Sequence, residues 1–239
     1  MATWVTHLRI AENLHKTYEF SEREFLAGNI GPDCGVPNED WSSFEPPKKT
    51  THWLRDNEES GRKIDGSKIQ AELFYNKYIK DQLNIIDDRK FSFLIGYYTH
   101  LLTDIQWSKM HRLKKENDLE YKQRFKSDTS FIWEVKRDWY GIDCEYIQSE
   151  KDNVFDKKFT SIQGVKDYID YFPKGAFTSQ IKYIQNFYRT KRDELNPTGR
   201  YLTTHEMNDF VRDTSNLINE KIWTRLSEYS LKAKGKNIL

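Results

Sequence analysis

Apolar residues recur at helical intervals through most of this chain, and the run from residue 93 to 107 is the most apolar of all. Leu94, Ile95, Leu101, Leu102 and Ile105 fall three and four apart with no proline between them, which predicts a helix buried on most of its circumference. A first helix presents His7, Ile10, Ala11 and Leu14 on one face, with His15 turned away toward solvent. Ser21 and Glu24 have the spacing of a capping box for a short helix that Gly28 can end. Further helices are expected over residues 68–84, 118–125, 130–146, 162–172 (stopped by Pro173) and 177–195. Thr203 and Glu206 supply a second capping box for a last helix over residues 207–231, and residues 232–239 read as a flexible tail. Strand-like alternation is scarce. The prediction is an all-α protein, a compact single-domain bundle over residues 1–231.

Two stretches break the pattern. Asn29 to Gly35 is a tight loop whose Pro and Gly residues fix the backbone around Asp33. A long non-helical passage then runs through Pro37, Pro46 and Pro47 to His52, and loops of that length in small domains tend to carry function.

Composition refines this picture. The chain has 239 residues, enough for a sizeable core, and its mean hydropathy of -0.87 is offset by an aromatic content of 15%. The formal net charge is +1, so no whole-molecule field draws it to nucleic acid, and no stable nucleic-acid complex is expected. Any anion must be held by a local site. No signal-peptide pattern opens the chain and no apolar run is long enough to span a bilayer, so a cytoplasmic location is expected. In that reduced compartment Cys34 and Cys144 are expected to stay unpaired.

Chemistry enters through the apolar helix, which carries His100 and Asp104 on one face. A buried, unpaired carboxylate is costly, and a metal held by both side chains compensates it. Alone, the pair reads first as a capped or ion-paired aspartate beside an ordinary core histidine. Its company tips the balance: His7, Asp33 and His52 come from three other elements, and nitrogen with carboxylate oxygen is the ligand set zinc prefers. No G-x-S-x-G, P-loop, Cys-x-x-Cys or adjacent His-Asp occurs, which disfavours the common nucleophile, nucleotide and HD-type alternatives.

Four ordered motifs carry a resemblance: Thr6-His7-Leu-Arg-Ile-Ala11, Gly28-Asn-Ile-Gly-Pro-Asp33, Thr51-His52-Trp53, and residues 93–104 with Gly96 one turn before His100. They resemble those of the zinc-dependent phospholipase C family, related in fold to the P1-type nucleases. The resemblance implies a helical domain with a zinc cluster in a cleft. Asp33, His52, His100 and Asp104 would surround one zinc, with Asp104 bridging to a second that His7 binds. In the family an N-terminal tryptophan completes the second site. Here Trp4 has three residues before it, so that contact is expected to be missing.

A third zinc would take His111 together with Glu134 and Asp138, with Asp143 as an alternative. His111 reaches the cluster only if the central helix ends near Ser108, because a straight helix would separate it from His100 by about 16 Å. The reaction implied is hydrolysis of a phosphoric ester by a zinc-activated water, with Asp33 as general base. Trp53 and Tyr97, with Tyr98 and Trp107, are candidates to line the cleft for a phospholipid head group or a nucleotide. Two zincs against Asp33, Asp104 and one hydroxide leave roughly one positive charge, so no basic patch is required. The alternative is a non-catalytic metal-binding module that keeps the fold.

Overall fold

A computed structural model describes residues 1–55, 65–80 and 87–236, with side chains through residue 227. Ten α-helices in chain order are α1 (Trp4–His15), α2 (Glu22–Gly28), α3 (Lys48–Thr51), α4 (Ala71–Tyr75), α5 (Asp88–Asn117), α6 (Leu119–Ser127), α7 (Phe131–Ser149), α8 (Val154–Lys157), α9 (Ala176–Lys191) and α10 (Thr204–Lys236). The only sheet among the described residues pairs β1 (Val36–Pro37) with β2 (Phe44–Glu45), so the fold is all-α. No helix in the described residues is long and apolar enough to cross a membrane.

α5 is the central post of the bundle, and its residues from Ser92 to Asp104 are buried without a break. Asp87 caps its start by accepting the Lys90 backbone N–H at 2.9 Å. Against it lies α2, at a separation that two glycines permit. A Cβ on Gly28 would sit 2.1 Å from the Phe93 carbonyl oxygen, and one on Gly96 would sit 2.4 Å from that of Phe25. α2 ends at Gly28 as expected, and the same residue is also a packing glycine. The close approach has a direct consequence for function, because it brings the end of α2 onto His100.

Several boundaries differ from expectation for physical reasons. At α2 the capping box is absent: Glu24 accepts from Arg23 instead, and Ser21 offers its backbone N–H to Ser92 Oγ. The box at α10 does form, with the Thr203 N–H and hydroxyl donating to Glu206 and the Glu206 N–H returning a bond to Thr203 Oγ1. That helix runs on to Lys236, past the expected end at Leu231, and the remaining tail residues 237–239 lie outside the described residues.

No helix forms over residues 162–172. Tertiary partners take its carbonyls: Gln185 Nε2 donates to Phe159 O and Ile162 O at 2.9 and 3.0 Å, and Thr178 bonds Val165. The helix expected over 68–84 is α4 followed by a π-turn over Asn76–Lys80, with residues 81–86 outside the described residues. Cys34 and Cys144 are free and buried.

Candidate metal centre

Five side chains from four elements meet at the middle of α5. His7 comes from α1, Asp33 from the 3-10 turn Gly31–Asp33 that follows α2, His52 from the end of α3, and His100 with Asp104 from α5. Asp104 is the hub. Its Oδ1 lies 3.5 Å from His7 Nε2, and its Oδ2 lies 3.3 Å from His100 Nε2 and 3.6 Å from His52 Nε2. Asp33 Oδ1 faces His52 Nε2 at 3.6 Å. The His7 and His100 rings are stacked, 3.7 Å apart with planes 2° from parallel. His7, His52, His100 and Asp104 are fully buried.

The backbone settles which ring nitrogen faces inward. His100 Nδ1 lies 2.7 Å from the Asn29 carbonyl oxygen, and His52 Nδ1 lies 3.1 Å from that of Lys48. A carbonyl only accepts, so each Nδ1 carries the hydrogen and each Nε2 turns a lone pair toward the carboxylates. Trp53, just past the end of α3, lies in the left-handed region at φ 53°.

The result is an inward-facing set of nitrogens and carboxylate oxygens, several of which find no partner in the protein. His7 Nε2, His52 Nε2, His100 Nε2 and Asp104 Oδ2 are all buried without a hydrogen-bond partner. Such groups are expensive unless a cation is shared among them. Two subsets have the reach to hold one, His7/His100/Asp104 and Asp33/His52/His100. Two imidazoles and a carboxylate in each is a donor set that fits zinc.

The electrostatics set the charge of each group. Burial lowers His100, but the Asp104 and Asp33 carboxylates raise it above its ordinary value. Burial alone would raise the Asp104 carboxyl, but His100 and His7 hold it well below the usual carboxylate range. Burial would likewise raise Asp33, yet Lys48, His100 and His52 hold it low. Burial and repulsion from His100 push His7 down to about 4, and burial pushes His52 down to about 3. These two imidazoles stay neutral at physiological pH, the state in which they ligate.

Asp33 is the one member of the set that also lines a cavity of about 660 Å³ running toward the C-terminal half of α5. Residues 6–230 match the family description zinc-dependent phospholipase C. The chain belongs to this family. Comparisons with curated proteins and with solved structures find no match.

The family's third-metal residues are not brought together. α5 continues unbroken past Ser108 to Asn117, so His111 stays far along the helix from His100. There its ring packs on Trp107 and Trp139 at 5.2 and 4.5 Å, and burial pushes its pKa down to about 3. Glu134 is exposed and forms a two-pronged pair with Arg124 at 3.1 and 2.7 Å. Asp138 is buried, but its oxygens are filled by the Thr198 N–H and hydroxyl and the Tyr201 N–H. Asp143 accepts from the Thr3 and Tyr188 hydroxyls. The structure does not bring these four to the five-residue centre, and His111 instead lines the cavity with its Nε2 unpartnered.

The proposed substrate residues also move. Trp53 packs on Phe74 and Tyr78, and Tyr97 is fully buried, stacked on Phe74, with its hydroxyl donating to Thr51 O. Neither lines the cavity, whose aromatic wall is Trp4, Trp107, Trp139 and Tyr140. The start of the chain does reach the centre, though not through a terminal tryptophan. The Ala2 N–H donates to Asp104 Oδ1 at 2.8 Å and the Trp4 indole to Asp33 Oδ2 at 3.0 Å. Sequence reasoning missed these contacts because they span long separations. The one available signal was Trp4, lying a helical turn before His7.

Proposed function

We propose that this protein is a zinc-dependent hydrolase of phosphoric esters, acting on phosphodiesters such as phospholipid head groups or nucleotides. The observation that carries the reading is the buried group of imidazole nitrogens, with Asp104 Oδ2, that converge without a hydrogen-bond partner. Asp33, His52 and His100 would hold one ion, and His7 with Asp104 would hold a second, because the single free nitrogen of His100 can serve only one of them. Zinc, when bound, supplies a Lewis acid for a phosphoryl oxygen and brings the pKa of water to about 7. Asp33 stands where this centre meets the cavity, and Lys48 keeps it ionised, so it is placed to orient the attacking water and accept its proton. His52 and Trp4 fix its carboxylate from two sides.

The free, buried thiols of Cys34 and Cys144 accord with the cytoplasmic location we propose. A second reading, a metal-binding module without turnover, is favoured by one feature. The α7 carboxylates that would serve a third ion are committed to Arg124 and to backbone amides.

Zinc analysis with bis-p-nitrophenyl phosphate as substrate separates the two. The hydrolase reading expects about two zincs per chain and a turnover that Asp33→Asn lowers by about 100-fold or more. Bound zinc without turnover on any phosphoester would establish the module instead.

A further inference from the structure

The cavity beside Asp33 has a charge that the centre itself does not explain. Lys48 and Lys136 line it at the Asp33 end, from α3 and α7 respectively. The Lys136 ammonium lies 4.9 Å from the Trp133 ring centroid, and that of Lys48 lies 4.7 Å from the Phe44 centroid. Neither forms an ion pair with a carboxylate among the described residues. Lys48 acts through space on Asp33, and Lys136 is lowered by burial and by Lys48 while Asp33 pulls it the other way. Arg112 and Lys115 extend the positive lining along α5, where Asp65 is the one carboxylate besides Asp33. A neutral chain has thus gathered a local basic patch that its net charge concealed.

The aromatic wall alone would suit a quaternary ammonium, which binds well over indole faces. The two lysines reverse that preference. A cationic head group placed beside them meets like charges in a half-enclosed site, whereas an anionic or polyol group meets compensation. The phosphodiester itself needs only one charge equivalent, which the centre supplies. Two further cations therefore point beyond the scissile phosphate, to the group attached to it.

We propose that Lys48 and Lys136 make this cavity selective for phosphoesters of net negative charge, and that it disfavours substrates bearing a cationic head group. The proposal deepens the hydrolase reading and rests on it for turnover. Lys48 and Lys136 are specificity residues, in contact with the group beyond the scissile phosphate. A lipid head group and a nucleotide share this chemistry, so the test distinguishes them.

The zinc-loaded full chain is assayed on monomeric dihexanoyl phosphatidylglycerol, on dihexanoyl phosphatidylcholine and on thymidine 5′-p-nitrophenyl phosphate. The expected kcat/KM ratio of glycerol to choline lipid is about tenfold or more at low salt, falling as salt rises. Lys136→Gln and Lys48→Gln each bring that ratio toward one, and Lys136→Arg restores it. A nucleotide ester preferred over both lipids assigns the anion to a nucleotide. A choline lipid used equally well or better, or a ratio that neither glutamine variant moves, overturns the proposal.

If bis-p-nitrophenyl phosphate is not turned over either, the hydrolase reading has failed separately. Calorimetry then decides the selectivity on the same proteins, using glycerol 1-phosphate against phosphocholine. Tighter binding of glycerol 1-phosphate that Lys136→Gln abolishes upholds it, and equal binding overturns it.

Discussion

Asp104 on α5 and Asp138 on α7 are both buried aspartates on long helices, with 0% and 1% exposure, and they do opposite jobs. Asp138 is saturated by donors, two backbone N–H groups and a hydroxyl, all from the segment between α9 and α10. It pins that segment to α7. Asp104 receives the Ala2 N–H and otherwise faces three imidazole nitrogens, two of them, on His52 and His100, in rings whose other nitrogen is bonded to a backbone carbonyl. Burial and residue type are the same in both; the partners' donor or acceptor character differs. A buried carboxylate surrounded by donors is structural, and one surrounded by lone pairs requires a cation.

The comparison breaks most readily at zinc content. Asp104→Ala removes the hub, and the expected loss of zinc affinity exceeds the roughly 100-fold that follows disruption of a ligand's supporting partner. Asp138→Ala leaves the zinc count unchanged and lowers stability by about 3 kcal/mol, the combined loss of three hydrogen bonds. Metal analysis and urea unfolding on the two variants check both halves. Should Asp138→Ala shed zinc while folded, the contrast between the two carboxylates would be wrong.

A third buried aspartate sharpens it. Burial pushes the Asp143 carboxyl up to about 7, although Tyr188, Thr3 and Arg9 pull the other way. The unfolded chain ionises this group near its ordinary value of 3.8, so between the two pKa values the folded state holds a proton that the unfolded state has lost. Its contribution to stability is therefore complete below the unfolded pKa and declines as pH rises toward 7. The decline is roughly 2 kcal/mol between about pH 5 and about pH 7. Asp143→Asn keeps a neutral group in the same hydrogen bonds and is expected to flatten that part of the profile. Equal slopes for both proteins in urea midpoints would show that Asp143 titrates normally.

How much was legible in the sequence follows from the range of the interactions. Helices with a clear apolar stripe, such as α1, α7 and α9, could be placed from local periodicity alone. The acceptors of the centre sat in four short motifs, so their positions could be named, and the structure brings all five together. What escaped was non-local. Residues 162–172 have a helix-like pattern, but Gln185 and Thr178 on α9 bond their backbone instead. His111, Glu134 and Asp138 have plausible ligand types and spacing. Their actual partners, Trp139, Arg124 and the Thr198–Tyr201 turn, are distant in sequence or ambiguous in register. Lys48 and Lys136 are ordinary surface types in a chain with 38 basic residues, and only folding sets them beside one cavity.

The smallest expected effect tests the same distinction at the surface. Glu134 shares a helix with Asp138, one turn earlier, but is exposed and pairs with Arg124 in a two-pronged geometry, with the Tyr201 hydroxyl also donating to it. An exposed ion pair contributes little because water and salt screen it and two long side chains must be ordered. Glu134→Gln keeps the size and one acceptor, so a stability loss under about 1 kcal/mol is expected, shrinking further in high salt. Zinc content should not move, since the carboxylate faces Arg124 and not the imidazoles. A stoichiometric drop of one zinc in this variant, with the fold intact by urea midpoint, would return Glu134 to the ligand set and reopen a third metal site on α7.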